Sequence, residues 1–364
     1  MEQNAQRELR SADPHWTASE SMAHVLAALK SDGPALVFAP SSLTHVPQAI
    51  TLVIRTTGSS GAAKEVGLSA SALISSARAS NKALGAQAGN TWSLLLPLTH
   101  IAGINVLIRA LELGTQVIDL REHEGPYPRA DFTAIVPTQL FKALNGDDQL
   151  LKHLTDAQAV LVGGAALAED LHLQATKAGI NIVMTYGMTE TSGGCVYDGV
   201  AFDGVEVAIT SQGRIAIKGP VLAQTYLGAE ALWDSQCKDG WFLTSDIGRI
   251  DNGKLVVEGR SDDVIISGGE NISLSAIESS LHTHFPHTTC AAFSVKDAQW
   301  GQSLHVAIAG SSAPTDDEIS QYLSEQFGDF TKPKGYLHIP ELPLIGIGKV
   351  DRKKLAELSM EAPH

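Results

Sequence analysis

A loop of small and hydroxyl-bearing residues follows the apolar run Ile50–Ile54, and it reads Thr56-Thr57-Gly58-Ser59-Ser60-Gly61-Ala62-Ala63-Lys64. Glycine lets backbone N–H groups approach an anion, hydroxyls donate hydrogen bonds, and a lysine supplies positive charge. The loop is not a Walker sequence, because two alanines separate Gly61 from Lys64. The stretch therefore predicts a strand followed by a phosphate-binding loop.

Strand-like and helix-like segments alternate along the first half of the chain. Apolar runs predict strands at Ala35–Phe38, Ile50–Ile54, Trp92–Leu96, Gln116–Leu120, Phe132–Val136, Ala159–Val162 and Ile180–Met184. Helical periodicity appears at Ser69–Leu84, Ile101–Leu113 and Ala168–Ala178. This alternation predicts an α/β fold, with sheets covered by helices in a large N-terminal domain.

The pattern changes twice after residue 200. Short runs separated by turn residues predict a small β-rich subdomain over about 200–259, with strands at Val205–Thr210, Arg214–Lys218 and Leu255–Glu258. Beyond it, strands are predicted at Val264–Ile266 and His305–Ala309 and helices at Ser273–Leu281 and Asp316–Phe327. We expect an N-terminal domain at 1–259 and a small, mobile α+β C-terminal domain at 262–364, with a hinge near Asp262.

Composition narrows the class of protein. The chain has 364 residues, of which 44% are hydrophobic, enough for a large core in two domains. Its formal charge of −14 argues against nucleic-acid binding. The three cysteines are far apart, as in a reducing compartment, and no apolar run is long enough to enter a membrane. The expectation is a cytoplasmic protein with no signal peptide and no membrane insertion.

Four further motifs carry side chains suited to nucleotide chemistry. They are Leu96–Gly103 with His100, Tyr186–Thr191 just past a predicted strand, the group Trp241–Asp246, Gly259–Asp263 and Ser267–Asn271, and Gly348–Arg352 with Lys349. Thr189 is suited to a phosphate, Glu190 to the Mg²⁺ that accompanies a nucleotide, and Asp246 to two ribose hydroxyls.

In this order and spacing the five motifs resemble the adenylate-forming superfamily of acyl- and aryl-CoA ligases, luciferases and peptide-synthetase adenylation domains. The resemblance runs from about Ile54 to Leu355. It implies an enzyme that uses ATP and Mg²⁺ to activate a small-molecule carboxylic acid as an acyl-adenylate, and CoA to accept the acyl group. A C-terminal domain that rotates between the two steps is implied as well.

The resemblance also implies a role for each matching residue. The phosphate loop, Thr56 to Lys64, holds the β- and γ-phosphates, although Ala63 and Glu65 replace the usual proline and glycine. Around the nucleotide, the resemblance places Gly163, Gly164 and Ala165 beside the adenine, Tyr186 and Gly187 at the base, Thr189 at the α-phosphate, Glu190 at the metal, and Asp246 and Arg260 at the ribose. Elsewhere it places His100 at the acyl pocket, Asp262 at the hinge, and Gly268 and Gly269 beside the pantetheine arm. Lys349 is the residue expected to stabilise the adenylation transition state.

Within the superfamily, three stretches resemble the compact o-succinylbenzoate–CoA ligases of menaquinone biosynthesis: Phe132–Leu140, Tyr186–Thr191 and Val196–Val205. Those enzymes convert o-succinylbenzoate, ATP and CoA into o-succinylbenzoyl-CoA, AMP and pyrophosphate. Only the aliphatic carboxylate is activated, and Ser192 and Gly193 are the expected contacts of the acid. Arg109 and Arg129 are further candidates for the second carboxylate, and both also suit a structural role.

Two other functions stay open at this point. One is an adenylate-forming ligase for another aryl or acyl acid, or with a carrier protein in place of CoA. The other is a nucleotide-binding homologue without catalysis, for which Ala63 and Glu65 are the sequence support. The superfamily resemblance also makes a homodimer an expectation.

Overall fold

The computed structural model describes residues 5–57, 63–285, 288–310, 314–345 and 349–361, and the side chains of residues 57, 63, 262 and 349 are outside this description. Within these ranges the first 201 residues alternate strands with helices. In chain order they form β1 (Gln6–Ser11), α1 (Ala18–Leu29), β2 (Ala35–Val37), β3 (His45–Pro47), β4 (Ile50–Thr57), β5 (Ala63–Ser69), α2 (Ala70–Ala83), β6 (Trp92–Leu94), α3 (Ile101–Glu112), β7 (Ile118–Asp119), β8 (Phe132–Ile135), α4 (Pro137–Leu144), α5 (Asp148–Asp156), β9 (Ala159–Val162), α6 (Glu169–Lys177), β10 (Ile182–Met188), β11 (Gly193–Tyr197) and β12 (Val200–Ala201).

The rest of the chain is richer in strands. Its elements are β13 (Glu206–Ile209), β14 (Arg214–Lys218), β15 (Thr225–Leu227), α7 (Glu230–Gln236), β16 (Cys237–Lys238), β17 (Trp241–Asp251), β18 (Lys254–Arg260), β19 (Val264–Ser267), β20 (Glu270–Ser273), α8 (Leu274–His284), β21 (Thr289–Asp297), β22 (Gly301–Ala309), α9 (Asp316–Phe327), β23 (Gly335–Ile339), β24 (Leu344–Ile345), β25 (Lys349–Val350) and α10 (Arg352–Glu361). Short 3-10 helices cover Thr189–Thr191, Ser261–Asp263 and Asp329–Thr331. The predicted mixed α/β fold is confirmed.

Two large sheets form the N-terminal part. One has the order β15-β5-β4-β2-β1-β3, and the other has the order β12-β11-β10-β9-β8-β6-β7. In the second sheet the strands from β6 to β10 are parallel, and β11 then pairs antiparallel with β10. Helix α3 is buried along most of its length, and its apolar residues join one hydrophobic core with residues of both sheets. An apolar helix surrounded by sheets and other helices needs no polar face, which is why Ile101–Glu112 is hydrophobic nearly all round.

Two smaller sheets complete the fold. The first has the order β13-β14-β17-β16 with β18 paired to β17, and the second has the order β20-β19-β22-β21 with β23 paired to β22. The hydrophobic clusters of this last sheet contain only residues beyond 264, whereas the main N-terminal cluster ends at Leu255. Separate cores are expected of separately folding domains.

Some predicted boundaries need correction. Strand β10 extends to Met188, so that Tyr186 and Gly187 lie inside a strand and not just past it, because β11 pairs with β10 as far as Met188. The ends of the predicted phosphate loop are strand as well: Thr56 pairs with Lys64 across the β4–β5 hairpin. Strand β5 and helix α1 were not predicted.

Candidate active site

One short segment, residues 186–193, contains most of the predicted site. It comprises the end of β10, the 3-10 helix Thr189–Thr191 and the start of β11. This is the place where the sheet changes from parallel to antiparallel pairing. The segment also lies at the carboxyl end of the parallel strand β10, and ligands in open α/β sheets bind outside the carboxyl ends of the strands. Side chains from several distant parts of the chain contact this segment.

The first group of contacts joins Tyr186, Asp246 and Arg260. The Tyr186 hydroxyl donates to Asp246 Oδ2 at 2.7 Å, and Arg260 Nη1 lies 3.3 Å from Asp246 Oδ1. Strands β17 and β18 place Asp246 directly opposite Arg260. Burial, and after it the neighbouring Asp246 charge, raises the pKa of the Tyr186 phenol well above its usual value, so that it stays a donor at physiological pH.

Asp246 is held so that its carboxylate retains capacity for a ligand. Asp246 is 7% exposed, and its backbone N–H donates to Thr244 Oγ1 at 3.0 Å. A carboxylate offers about four acceptor positions, and Tyr186 and Arg260 use two of them. The arrangement therefore fits the predicted binding of two ribose hydroxyls.

The second group joins Glu190, Tyr226 and Lys64. The Tyr226 hydroxyl donates to Glu190 Oε1 at 2.8 Å, and Lys64 Nζ lies 4.7 Å from the centre of the Tyr226 ring. Burial, followed by the charge of Glu190, raises the pKa of Tyr226. Tyr226 thus contacts both the last residue of the predicted phosphate loop and the predicted metal ligand.

The residues present fit Mg²⁺ only if substrate oxygens complete the site. No cluster of three or more His, Cys, Asp or Glu side chains suited to a metal occurs in the described part of the chain. Glu190 is half-buried and has one oxygen bonded to Tyr226. Mg²⁺ is commonly held by one or two carboxylates together with nucleotide phosphates and water. Glu190 alone would suffice for that mode of binding.

The third group surrounds Ser192 and Gly193. The Ser192 carbonyl accepts hydrogen bonds from Asn105 Nδ2 at 2.8 Å and from Ser76 Oγ at 3.0 Å. The Ser192 hydroxyl donates to the Val221 carbonyl at 2.8 Å, and the residue is fully buried. The predicted contact of Ser192 with the acid would require this bond to break. A Cβ on Gly193 would lie 2.1 Å from Asn105 Nδ2, so only glycine fits there.

His100 precedes the helix whose residues Ile101 and Asn105 reach this third group. It is the residue immediately before α3 and is half-buried. Its neighbour Ile101 has Cγ1 3.8 Å from the position of a Cβ on Gly193. Thr189, in the 3-10 helix, is half-buried one residue from Glu190. The structure thus brings the predicted acid-pocket residues to one end of α3.

The predicted adenine stretch follows the neighbouring strand, β9. Gly163, Gly164 and Ala165 directly follow β9, and Val162 pairs with Met184 of β10. This register puts the stretch beside Thr185 and Tyr186. Gly164 and Ala165 are exposed, as a surface open to a ligand requires.

Several residues of the predicted site lie wholly or partly outside the described part of the chain. Gly58, Ser59, Ser60 and Gly61 lie outside the described residues, as do the side chains of Thr57, Asp262 and Lys349. Thr56 is half-buried on β4, and the backbone of Asp262 is in the 3-10 helix Ser261–Asp263. The backbone of Lys349, in β25, pairs with Ile345 of β24. Their functional roles stay predictions.

Gly268 and Gly269 form the tight turn between β19 and β20. Their φ angles are +59° and +93°, the left-handed values that a two-residue hairpin turn of this type requires. A Cβ on Gly268 would lie 2.6 Å from the Trp300 ring. Turn geometry and close packing thus account for glycine here, and the predicted contact with a pantetheine arm stays a prediction.

Sequence reasoning missed Tyr226. It belongs to a strand of three residues, and its relation to Glu190 depends on the pairing of β15 with β5. The only local signal is a tyrosine between Thr225 and Leu227, a pattern common in any strand.

The chain belongs to the AMP-binding enzyme family. The model of that family matches residues 5–227, and the model of the AMP-binding enzyme C-terminal domain matches residues 276–349. No helix in the described ranges is both long and apolar enough to cross a membrane.

The chain is similar over nearly its whole length to named relatives. A protein of Mycobacterium tuberculosis named probable 2-succinylbenzoate–CoA ligase is 36% identical over 94% of this chain and 96% of that protein. A structure of E. coli MenE with bound OSB-AMS is 26% identical, with a TM-score of 0.72 over 90% of this chain and 72% of that chain. The o-succinylbenzoate CoA synthetase (MenE) of Bacillus subtilis, in complex with the acyl-adenylate OSB-AMP, has a TM-score of 0.74 at 22% identity, over 96% of this chain and 78% of that chain.

Proposed function

We propose that this chain is an acid–CoA ligase that activates o-succinylbenzoate with ATP and transfers the acyl group to CoA. The observation that carries the proposal is the end-to-end similarity to the mycobacterial 2-succinylbenzoate–CoA ligase. The site supports it, since Tyr186, Glu190, Ser192 and Gly193 occur on one segment. Tyr186 of that segment donates to Asp246, which in turn pairs with Arg260.

In the first half-reaction the aliphatic carboxylate attacks the α-phosphorus of ATP, and the bond to pyrophosphate breaks. Asp246 accepts hydrogen bonds from the ribose hydroxyls, Tyr186 lies against the base, and Thr189 donates to the α-phosphate. Glu190 would hold Mg²⁺, which when bound would offset the repulsion between the anions. Lys349 stabilises the charge that develops in the transition state, so the protein contributes positioning and electrostatics.

In the second half-reaction the CoA thiol attacks the acyl carbonyl, and AMP leaves. We propose that residues 262–364 rotate about Asp262 to replace Lys349 with the Gly268–Gly269 turn, and that residues 1–259 stay fixed. The separate hydrophobic cores on the two sides of residues 256–264 support such a division. A cytoplasmic location, where ATP and CoA are supplied, and a homodimer are parts of the proposal. Size-exclusion chromatography with light scattering tests the dimer.

Acid-dependent exchange of labelled pyrophosphate into ATP tests the acid and the first step together. We expect exchange with o-succinylbenzoate and little with benzoate or succinate, each of which offers half of that acid. Equal exchange with 3-benzoylpropionate, which keeps the aliphatic carboxylate and lacks the aromatic one, would mean that the second carboxylate is not recognised. Exchange only with an unrelated acid would keep the adenylation chemistry and overturn the proposed substrate.

A further inference from the structure

Tyr226 contacts both side chains that the proposed function assigns to the metal and to the phosphates. Its hydroxyl lies 2.8 Å from Glu190 Oε1, and its ring face lies 4.7 Å from Lys64 Nζ. Glu190 lies in the 3-10 helix between β10 and β11 of one sheet, and Lys64 lies on β5 of the other sheet. A single buried phenol thus connects the two sheets at the site.

We propose that Tyr226 is a positioning residue, which fixes the Glu190 carboxylate and the Lys64 ammonium in the orientation that a metal–triphosphate requires. The inference rests on the proposed function, in which Glu190 holds Mg²⁺ and Lys64 contacts the phosphates. Second partners of metal-ligating carboxylates commonly set both the orientation and the affinity of the ligand.

The surroundings of Tyr226 leave its ring little freedom. The residue is 1% exposed, and its backbone pairs with Val66 in the β15–β5 ladder. Its ring packs perpendicular to that of Trp233, with ring centres 5.2 Å apart, and Trp233 stacks on Phe242. A hydroxyl held by such packing is already in place before a ligand binds, which is the condition for preorganisation.

The hydrogen bonds of the Tyr226 hydroxyl have a defined direction. Its oxygen lies 2.8 Å from Glu190 Oε1 and 3.1 Å from Gln236 Oε1, but a phenol has one proton to donate. An ionised carboxylate only accepts, so the proton belongs to the bond with Glu190. The contact with Gln236 is satisfied when its amide is turned, because Nε2 then donates to the phenol oxygen. Gln236, Tyr226 and Glu190 therefore form a chain of donors that ends at the metal ligand.

The same hydrogen bond strengthens the contact with Lys64. Donation to a carboxylate increases the electron density of the phenol ring, and a cation over a ring face is attracted by that density. Removing only the hydroxyl should therefore loosen Glu190 directly and Lys64 to a smaller extent, while the ring and its packing stay.

Binding of Mn²⁺ with α,β-methylene-ATP, followed by water proton relaxation, tests the inference without turnover and without the acid. Tyr226→Phe should weaken Mn²⁺ binding in the ternary complex about 10-fold, the lower end for loss of such a partner. Tyr197→Phe is the matched control: Tyr197 is also buried, and its hydroxyl bonds to Ser80 Oγ at 2.7 Å and accepts from Arg109 Nη2 at 3.3 Å. In the described part of the chain these partners are separate from Glu190 and Lys64. This control should leave Mn²⁺ affinity unchanged.

A double-mutant cycle separates positioning from general damage to the fold. In a Glu190→Gln background, Tyr226→Phe should have little further effect on Mn²⁺ affinity, because the group it positions is gone. If Tyr226→Phe does not fold, Gln236→Met replaces it, with an expected loss of about 3-fold. Equal Mn²⁺ affinity of wild type and variant, or the same loss in both backgrounds, would overturn the inference.

The outcome is distinguishable from failure of the proposed function. If the wild-type protein binds Mn²⁺ with the nucleotide but does not activate o-succinylbenzoate, the proposed substrate is refuted. The double-mutant cycle then still decides the role of Tyr226. A wild-type protein that binds no Mn²⁺ with the nucleotide refutes the role of Tyr226, whichever acid is activated.

Discussion

Replacing Asp246 by asparagine keeps the shape of the side chain and removes its charge. In the structure its carboxylate accepts from Tyr186 at 2.7 Å and lies 3.3 Å from Arg260 Nη1, and we propose that it also accepts from two ribose hydroxyls. A hydrogen bond to a charged group contributes about 1 kcal/mol more than one to a neutral group. For two ribose hydroxyls the loss is about 2 kcal/mol, which corresponds to roughly 30-fold weaker ATP binding.

Isothermal titration of ATP and of 2′,3′-dideoxy-ATP into wild type and Asp246→Asn measures this loss. The variant should bind ATP roughly 30-fold more weakly. Both proteins should bind the dideoxy nucleotide alike, because it lacks the hydroxyls that the carboxylate accepts. Weakening of the Tyr186 contact should also lower the melting temperature by roughly two to four degrees.

Asp203→Asn is the matched control for charge. Asp203 is 81% exposed in its side chain and pairs with Lys82 on the surface, so the same substitution should change neither affinity. The reasoning is refuted if Asp246→Asn weakens ATP and dideoxy-ATP equally, since the carboxylate would then act through the fold and not through the ribose. It is refuted as well if ATP affinity does not change.

Three further predictions concern the C-terminal part of the chain. Lys349→Ala should slow adenylation about 100- to 1000-fold but spare thioester formation from supplied acyl-adenylate; equal loss in both half-reactions, measured separately by mass spectrometry, would count against a transition-state role. Gly268→Ala places a Cβ 2.6 Å from Trp300 at a φ of +59°, so it should slow the thioester step and leave pyrophosphate exchange intact; an unchanged thioester rate would contradict this. Burial raises the pKa of Glu278 from 4.5 to about 7 despite its bond to Arg352, so the stability that its neutral form contributes is complete below pH 4.5 and is lost as pH rises through 7. Melting curves should therefore show Glu278→Gln gaining stability relative to wild type between pH 5 and pH 8, by up to roughly 3 kcal/mol. A change in the opposite direction would refute the sign.

The regular parts of the fold could be predicted where the sequence has a complete local signal. Helix α9 has its predicted bounds Asp316–Phe327. Its local signal is complete, since Thr315 and Glu318 have the spacing of a capping box and the structure has both bonds of that box. Strand β9 also has its predicted bounds, because a short apolar run buried on both faces is unambiguous there. Helix α1 has the same kind of capping box, Thr17 with Glu20, so its signal was present in the sequence but was not used.

The site could be predicted only in part. Motif order pointed to Tyr186, Asp246 and Arg260, and the structure joins them by hydrogen bonds although they come from three strands. Sequence spacing could not predict that the Ser192 hydroxyl bonds to Val221, because this depends on a left-handed backbone, with φ of +52°, and on a distant loop. Tyr226 was missed for a similar reason, since its position follows from strand pairing and not from its neighbours in sequence.

The central claim is that this chain joins o-succinylbenzoate to CoA through an acyl-adenylate. Mass spectrometry of the products formed from MgATP and o-succinylbenzoate, with and without CoA, tests both halves of the claim. The account predicts o-succinylbenzoyl-adenylate without CoA, and o-succinylbenzoyl-CoA with AMP and pyrophosphate when CoA is present. Adenylate that never yields a thioester would contradict the second half, and no acyl product under either condition would contradict the account as a whole.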